Sequence, residues 1–319
     1  MTLAHPRVDV VMPAFNAGRY IESALESVAA QSMPVARIIV IDDGSTDDTA
    51  VRVKAFGSRH PGIELIYRYQ DNAGISAARN RGLAIAHSHF VALLDADDLW
   101  APDKLARQIA LFAQPADERL GVVYCDYGLI TEAGEPQPYP GSRLDPTLRG
   151  EVYERLLRAN LVAGSASAVL IRRDCLEHVG LFDETLKEGA EDWDLWLRLA
   201  RHYTFDFVPA KLVFIRRHPH QSQKNEVRMI GGELRFLDKL YRTGQMRRYH
   251  LSRFRRRLAF GRVDAARLAG FDVCHPYIQR AISGWGMVLI SLLLRASLPA
   301  RNLVRAVRRY RGQRRRDAS

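Results

Sequence analysis

Short apolar runs alternate with stretches of helical periodicity over the first hundred residues. The runs are rich in β-branched residues and are followed by turn residues, which predicts buried strands. Between them, apolar side chains recur at spacings of three and four, which predicts helices. Strands that alternate with helices predict an α/β fold, with a mainly parallel twisted sheet flanked by helices. The predicted strands are 8–12, 37–41, 63–67 and 90–94, and the clearest helices are 20–28 and 75–86.

Polar clusters follow three of these strands directly. They lie at 13–16, 42–44 and 95–98. Because ligands of open parallel sheets bind at the carboxyl ends of the strands, these clusters are the first candidates for a site. Residues 101–223 are more irregular, with a proline-rich loop, a run of small residues at 163–168 and a helix from Glu191. The chain from 224 to 319 is predicted to be helical and rich in arginine.

Composition narrows the class of protein. Apolar residues make up 47% of the 319 residues and charged residues 26%, which fits a chain with a sizeable core and excludes global disorder. The three cysteines show no C-x-x-C spacing, so neither a disulfide framework nor a cysteine zinc site is expected, and a reducing cytoplasm fits best. The fingerprints of P-loop NTPases, dinucleotide dehydrogenases, zinc proteases and α/β-hydrolases are absent from the sequence.

The charge is concentrated at one end of the chain. The net charge is +11, but residues 247–319 alone carry 18 arginines and three acids, which leaves residues 1–246 at −4. An uncharged apolar segment at 281–294 would span about 21 Å as a helix, against a hydrocarbon core of roughly 30 Å. An apolar segment beside arginines predicts a helix on an anionic membrane surface, hence a cytoplasmic protein peripheral at the inner face of the membrane.

Two other interpretations of this tail stay open. The apolar segment could pack on the rest of the protein and leave the arginines solvated. Nucleic-acid binding is disfavoured because few aromatic residues are interleaved with the arginines and no known module is present.

Two acidic clusters follow strand ends. Asp95 and Asp97 are predicted on one side of the chain, where two carboxylates suit Mg²⁺ or Mn²⁺. The alternative is that Asp98 or Asp103 simply begins the next helix. Asp42 and Asp43 follow the second strand, where a carboxylate can accept from a base or a ribose, although a turn with a helix cap would have the same sequence. Ser45 or Thr46 is the predicted residue for that cap.

The third candidate group lies further along the chain. Glu191 and Asp192 begin a predicted helix, where a carboxylate can act as general base or merely favour the helix dipole. His218 follows two arginines and is either structural or a ligand of phosphate or metal.

Five segments together resemble family 2 glycosyltransferases with the GT-A fold. Each segment is weak alone, but all five occur in the family's order, and the resemblance covers residues 8–222, about two-thirds of the chain. The segments are VVMPAFN (10–16), IVIDDGSTD (39–47), NAGISAARN (72–80), LLDADD (93–98), and GLFDE (180–184) followed by EDWDLWLRL (191–199).

The resemblance implies a nucleotide-sugar donor, a divalent metal (Mn²⁺ or Mg²⁺) and roles for matching residues. In the family's pattern, Asp192 is the general base with Glu191 beside it, and a metal is held by Asp95, Asp97 and His218. Arg216 and His218 match an element near the diphosphate, with Ile215 where the family has tyrosine. The resemblance places Gly164, Ser165 and Trp193 at the acceptor. It places Pro13, Phe15, Asn16, Asp42, Asp43, Asn72, Gly74, Arg79 and Asp95 at the nucleotide-sugar.

The resemblance implies transfer of a sugar from a UDP-sugar to a hydroxyl of a glycan or lipid-linked acceptor, with inversion. Residues 1–223 would form the catalytic domain, with a nucleotide-binding half (1–100) and an acceptor-binding half (101–223), and 224–319 a helical basic region.

A nucleotidyltransferase is disfavoured because the glycine-rich phosphate loop is missing. A non-catalytic scaffold held by its tail stays the other alternative.

The tail predicts salt-sensitive binding to anionic membranes. In a flotation assay we expect the protein to float with vesicles containing phosphatidylglycerol and to be released as salt rises, because the arginines attract anionic lipid. Neutral vesicles are the control. Equal flotation with both kinds of vesicle would contradict electrostatic binding.

Overall fold

A computed structural model describes residues 6–113, 117–138, 148–162, 165–187, 189–219, 226–247 and 250. The chain divides into two compact units: residues 1–187 with 191–221, and residues 188–190 with 222–319. Gly164, the apolar segment 281–294 and the arginines beyond residue 247 lie outside the described residues. No helix in the described part is long and apolar enough to cross a membrane.

The first unit contains nine strands and seven helices within the described residues, and the second contains the amphipathic helix α8 (Glu226–Arg242). A short 3-10 helix at Ala166–Ala168 also lies in the first unit. The strands are β1 (Val8–Ala14), β2 (Arg37–Asp43), β3 (Leu65–Gln70), β4 (Phe90–Leu93), β5 (Leu99–Trp100), β6 (Leu120–Ile130), β7 (Pro136–Gln137), β8 (Leu170–Arg172) and β9 (Thr204–Arg216). The helices are α1 (Ile21–Ala29), α2 (Thr49–Arg59), α3 (Ile75–Ile85), α4 (Lys104–Phe112), α5 (Tyr153–Arg158), α6 (Arg173–Val179) and α7 (Glu191–Ala200).

The strands form one sheet in the order β3-β2-β1-β4-β8-β6-β9-β5, with β7 added to β6. The first four are mutually parallel, as predicted. Beyond β4 the sheet is mixed, because β8 runs antiparallel to both neighbours and β5 runs antiparallel to β9. Since β6 and β9 are parallel, β9 has the same direction as β4. The carboxyl ends of β1, β2, β4 and β9 therefore lie at one edge of the sheet.

Burial explains why these runs form strands. Every residue of β1, β2 and β4 is buried, so each is covered on both faces. Helix α3 lies unusually close to this sheet, because a Cβ on Gly82 would come within 2.4 Å of the Val11 side chain. That close approach also brings Arg79, one turn earlier, to the sheet.

A buried carboxylate joins the strands at the opposite edge. Asp9 is fully buried and accepts hydrogen bonds from Arg37 Nε at 3.1 Å and Ser88 Oγ at 2.8 Å. It also accepts from the backbone N–H groups of His87 and Ser88. Because the buried charge is paired and hydrogen-bonded, it stabilises the positions at which β1, β2 and β4 begin.

Candidate active site

Asp43, at the end of β2, holds the loop that precedes α3. Its Oδ1 accepts from Gln70 Nε2 at 2.7 Å and from the backbone N–H of Ala73 at 2.8 Å, and its Oδ2 accepts from the N–H of Gly74 at 2.9 Å. Gly44 has φ +83°, and a Cβ there would lie 2.9 Å from the backbone nitrogen of Asn72, so only glycine fits. Asn72 is exposed at the rim of this loop.

Asp42 is occupied by contacts within the protein. It is 1% exposed, and it accepts from the Ser45 N–H at 2.8 Å and from the Tyr67 hydroxyl at 2.7 Å. Burial and the Asp42 carboxylate raise the pKa of Tyr67. In this structure Asp42 therefore shapes the loop after β2, and its contact with the nucleotide stays a prediction.

Asn16 links the loops after β1 and β2. Its backbone is left-handed, with φ +48°, and its Oδ1 accepts from the N–H of Thr46 at 2.9 Å. Phe15 beside it is 54% exposed at the rim, whereas Pro13 is buried within β1. The predicted cap by Ser45 or Thr46 is wrong. Asp47 accepts instead from the N–H of Thr49, where α2 begins.

The turn after β4 directs its three carboxylates differently. Asp95 and Asp97 have 22% and 30% of their side chains exposed, whereas Asp98 is 2% exposed. Nε2 of His218 lies 2.9 Å from Oδ2 of Asp97, and the imidazole packs against the ring of Tyr20. Asp98 does not cap a helix, because α4 begins only at Lys104.

The Arg216 guanidinium is used within the protein. It is buried and donates from Nε to the Asp97 carbonyl at 2.9 Å and from Nη1 to the Glu132 carbonyl at 2.9 Å. Its Nη2 donates to Ser23 Oγ at 3.2 Å. Arg216 thus fixes the turn that carries Asp97, and its place near a diphosphate stays a prediction.

Arg79 joins the two acidic clusters. It is 3% exposed, with Nη2 donating to Asp95 Oδ1 at 2.8 Å and Nη1 to Glu191 Oε1 at 2.9 Å. Burial alone would lower the pKa of Arg79, but the charges of Asp95 and Glu191 raise it. Arg79 is thus a buried bridge between the end of β4 and the start of α7, and its expected place at the donor stays a prediction.

Asp192 lies at the start of α7, beside Glu191. Its Oδ1 accepts from the N–H of Trp193 at 2.6 Å, and its Oδ2 accepts from Asn160 Nδ2 at 3.3 Å. Burial and the neighbouring Glu191 charge raise the pKa of Asp192 to about 6, although Arg79 and the two hydrogen bonds oppose this. A carboxyl with this pKa is ionised at neutral pH and is a better base than an ordinary aspartate.

The described acceptor candidates are turned inward. Trp193 is 4% exposed, and its Nε1 donates to the Leu156 carbonyl at 2.6 Å, so it packs α7 against α5. The Ser165 hydroxyl donates to Asp98 Oδ2 at 3.0 Å. Trp193 and Ser165 thus make contacts within the protein, and their roles at the acceptor stay predictions.

The sequence profile of one family matches this chain. The family described as Glycosyl transferase family 2 matches residues 9–180, more than half of the chain. The protein is a family 2 glycosyltransferase. The match includes the loops and turns that carry Asp43, Arg79, Asp95 and Asp97.

A named relative of this glycosyltransferase is the succinoglycan biosynthesis protein ExoU of Rhizobium meliloti. The two are 34% identical over 209 residues, which cover 62% of this chain and 58% of ExoU. The chain thus spans less than two thirds of that relative.

Solved structures show the fold. Staphylococcus aureus TarS in complex with UDP-GlcNAc has a TM-score of 0.59 at 16% identity, covering 89% of this chain and 90% of that one. The mannosyltransferase PcManGT from Pyrobaculum calidifontis, in complex with GDP-Man and Mn²⁺, has a TM-score of 0.58 at 19% identity, covering 92% of this chain and 79% of that one. The fold of this glycosyltransferase is the GT-A fold.

The chemistry of Asp95 and Asp97 fits a divalent cation. Both are hard oxygen donors, and burial and the charge of Asp95 raise the pKa of Asp97, a repulsion that a cation would relieve. Within the described ranges no three acidic, histidine or cysteine side chains are grouped to hold a metal, so a bound ion would need ligands from the substrate. The structure pairs His218 with Asp97 and thus gives it a supporting position beside a candidate ligand.

Sequence reasoning on this glycosyltransferase missed Asn160 and Ser167. Asn160 contacts Asp192, and Ser167 contacts both Asp95 and Asp98. Neither lies in a motif with a spacing of its own. The run of small residues at 163–168 was the only signal near Ser167, and it does not tell a pocket floor from a packed turn.

The Arg79 bridge predicts the effect of shortening its side chain. Arg79→Lys should lower kcat by about 10–100-fold. A single ammonium group cannot donate to both carboxylates at the separation that the guanidinium group bridges. The measurement is steady-state transfer against pH. We also expect the fall of kcat at low pH to begin at a higher pH, since the charge of Arg79 lowers the pKa of Asp192.

Arg81→Lys is the matched control. Arg81 lies in the same helix, is exposed, and donates to the Tyr69 carbonyl away from both acidic clusters. It should leave turnover within about twofold, as expected for a surface substitution. Wild-type turnover in Arg79→Lys would contradict the bridging role.

Proposed function

We propose that this glycosyltransferase moves a sugar from a UDP-sugar to a hydroxyl of a glycan acceptor, with inversion at the anomeric carbon. The observation that carries the proposal is the buried Arg79 bridge. Arg79 contacts Asp95, which belongs to a carboxylate pair suited to a cation (Asp95 and Asp97), and Glu191, the neighbour of a carboxylate suited to a base (Asp192). Sugar transfer from a nucleotide-sugar needs a cation to stabilise the leaving diphosphate and a base to accept the proton of the attacking hydroxyl.

The rim of loops after β1, β2 and β3 would bind the nucleoside. The exposed Phe15 ring offers a face on which a base can stack, and the exposed Asn72 offers an amide. Asp43 keeps acceptor capacity for a base or ribose donor besides the bonds it makes to the 72–74 loop. The similarity to TarS with UDP-GlcNAc favours a uridine donor.

Asp95 and Asp97 would hold a divalent ion together with the donor diphosphate. The PcManGT complex with Mn²⁺ supports this assignment. Bound there, Mn²⁺ or Mg²⁺ would stabilise the negative charge of the leaving diphosphate. His218 would hold Asp97 in place, and Arg79 would hold Asp95.

Asp192 would accept the proton of the acceptor hydroxyl as that oxygen attacks the anomeric carbon. The glycosidic bond forms, the bond from the anomeric carbon to the diphosphate oxygen breaks, and the proton stays on Asp192. Direct attack on the face opposite the leaving group gives inversion. Glu191, held by Arg79, would keep the start of α7 in position.

The relatives support a saccharide as the acceptor. ExoU is named for succinoglycan biosynthesis, which favours a saccharide acceptor in polysaccharide assembly. The arginine-rich region 247–319 would keep the enzyme at the anionic inner surface of the membrane, near acceptors of the cell envelope.

The proposed base predicts the effect of Asp192→Asn. Turnover should fall by about 10²–10⁴-fold while the donor affinity stays the same, because the amide cannot accept a proton. In the wild type, kcat should fall as the pH drops below about 6, where Asp192 becomes protonated. This limb should be missing from the residual activity of the variant.

Asp174→Asn is a suitable control, since that carboxylate lies on the surface of α6 with 60% of its side chain exposed. It should behave as wild type. Near-normal turnover in Asp192→Asn would remove Asp192 from the role of base.

The proposed donor site predicts metal-dependent nucleotide binding. UDP-sugars with Mn²⁺ should raise the thermal midpoint more than GDP-, dTDP- or CDP-sugars, because binding to the native state stabilises it. EDTA and Asp97→Ala should each abolish most of this shift. Stabilisation by another nucleotide would overturn the uridine assignment, and no response to any nucleotide would favour a scaffold.

A further inference from the structure

We propose that Ser167 is a positioning residue for the candidate metal site. Its hydroxyl would fix the backbone of the turn that carries Asp95 and Asp97, and so set the affinity for the divalent ion. This inference rests on the proposed function, in which those two carboxylates hold the ion. Ser167 itself would touch neither the metal nor a substrate.

The first observation is that one buried hydroxyl makes two hydrogen bonds in this turn. Ser167 is completely buried. Its Oγ accepts from the backbone N–H of Asp95 at 3.0 Å and donates to Oδ2 of Asp98 at 2.7 Å. The hydroxyl therefore joins the first and the last residue of the Asp95–Asp98 turn, whose own backbone bond runs from the Asp98 N–H to the Asp95 carbonyl at 3.0 Å.

Ser167 is itself held in place from both sides. Its carbonyl accepts from Trp100 Nε1 at 2.9 Å, and its N–H donates to Ser165 Oγ at 3.1 Å. Ser165 directly precedes the 3-10 helix, and Trp100 lies in β5, the strand that follows the turn. Because these contacts fix the backbone of Ser167, its hydroxyl can determine the position of the Asp95 N–H group.

Asp98 connects Asp97 to the same hydrogen-bond network. Its Oδ1 accepts from the backbone N–H of Arg216 at 3.3 Å, and the Arg216 guanidinium donates to the Asp97 carbonyl at 2.9 Å. The backbone at Asp95 and at Asp97 is thus tied to one buried network centred on Asp98. Groups that orient metal ligands in this way commonly change metal affinity or activity by about 10–100-fold when removed.

Ser165 provides a matched comparison. Its hydroxyl also donates to Oδ2 of Asp98, at 3.0 Å, but the Asp95 N–H bonds to Ser167. Ser165→Ala and Ser167→Ala therefore each remove one donor to Asp98. Only the second also removes the acceptor of the Asp95 N–H, whereas the first also removes the acceptor of the Ser167 N–H. A larger loss of Mn²⁺ affinity in Ser167→Ala therefore reports the contact with Asp95.

The test is Mn²⁺ binding in the presence of UDP, followed by the electron paramagnetic resonance signal of the free ion. We expect Ser167→Ala to weaken Mn²⁺ binding by about 10–100-fold. The residual UDP binding that is left in EDTA should equal that of the wild type, since the loops after β1 and β2 do not depend on Ser167. Ser165→Ala should lose less than threefold, and Ser167→Thr, which keeps the hydroxyl, should regain most of the affinity.

A variant that fails to fold is recognised by circular dichroism and by loss of a cooperative thermal transition. Ser167→Cys then takes the place of the alanine variant, because a thiol is close in size but a weak acceptor, and the same loss is expected. Wild-type Mn²⁺ affinity in the folded variant, or an equal loss in Ser165→Ala, would overturn the inference. Failure of the wild type itself to bind Mn²⁺ with UDP or GDP would instead overturn the proposed metal site.

Discussion

The candidate site depends on one buried cation shared by two carboxylates. Arg79 is almost completely buried, so its charge is stable only while both Asp95 and Glu191 accept from it. The two acids lie on elements far apart in sequence, the end of β4 and the start of α7. A charged fork of fixed geometry therefore sets their separation more strictly than apolar packing would. Gly82 makes this possible, since α3 lies against β1 only where a side chain is missing.

The sheet topology explains why these acids meet at all. The parallel strands β1, β2 and β4 end at one edge, and β9 ends at the same edge although the sheet becomes mixed beyond β4. The turn that carries Asp97 is consequently reached by His218 from beyond β9. The same edge gathers the loops after β1, β2 and β3. The loops after β1, β2 and β3 thus lie beside the acidic centre within one sheet.

The acids at this edge serve two different physical roles. Asp42, Asp43 and Asp98 are buried and accept two or three hydrogen bonds each from loop backbone and hydroxyl groups. They hold the loops in shape. Asp95 and Asp97 are partly exposed, and each gives one oxygen to a cationic or imidazole partner. The distinction lies in how many donors surround each carboxylate. Neighbouring aspartates in one turn can therefore differ completely in what they do.

The sequence by itself determined the strand and helix pattern of the first hundred residues, the parallel sheet there, and the family. These follow from local periodicity and from motifs whose residues are close along the chain. It also placed Asp95 and Asp97 correctly after the end of β4, whereas Asp42 and Asp43 turned out to be the last two residues of β2. Only the tertiary structure decided that the second half of the sheet is mixed, because an apolar run carries no strand direction. It also turned Arg79, Arg216 and Trp193 inward and brought Ser167 and Asn160 to the acids. Those assignments depend on hydrogen-bond donors and acceptors supplied by elements up to about a hundred residues apart, and no local pattern encodes such pairings.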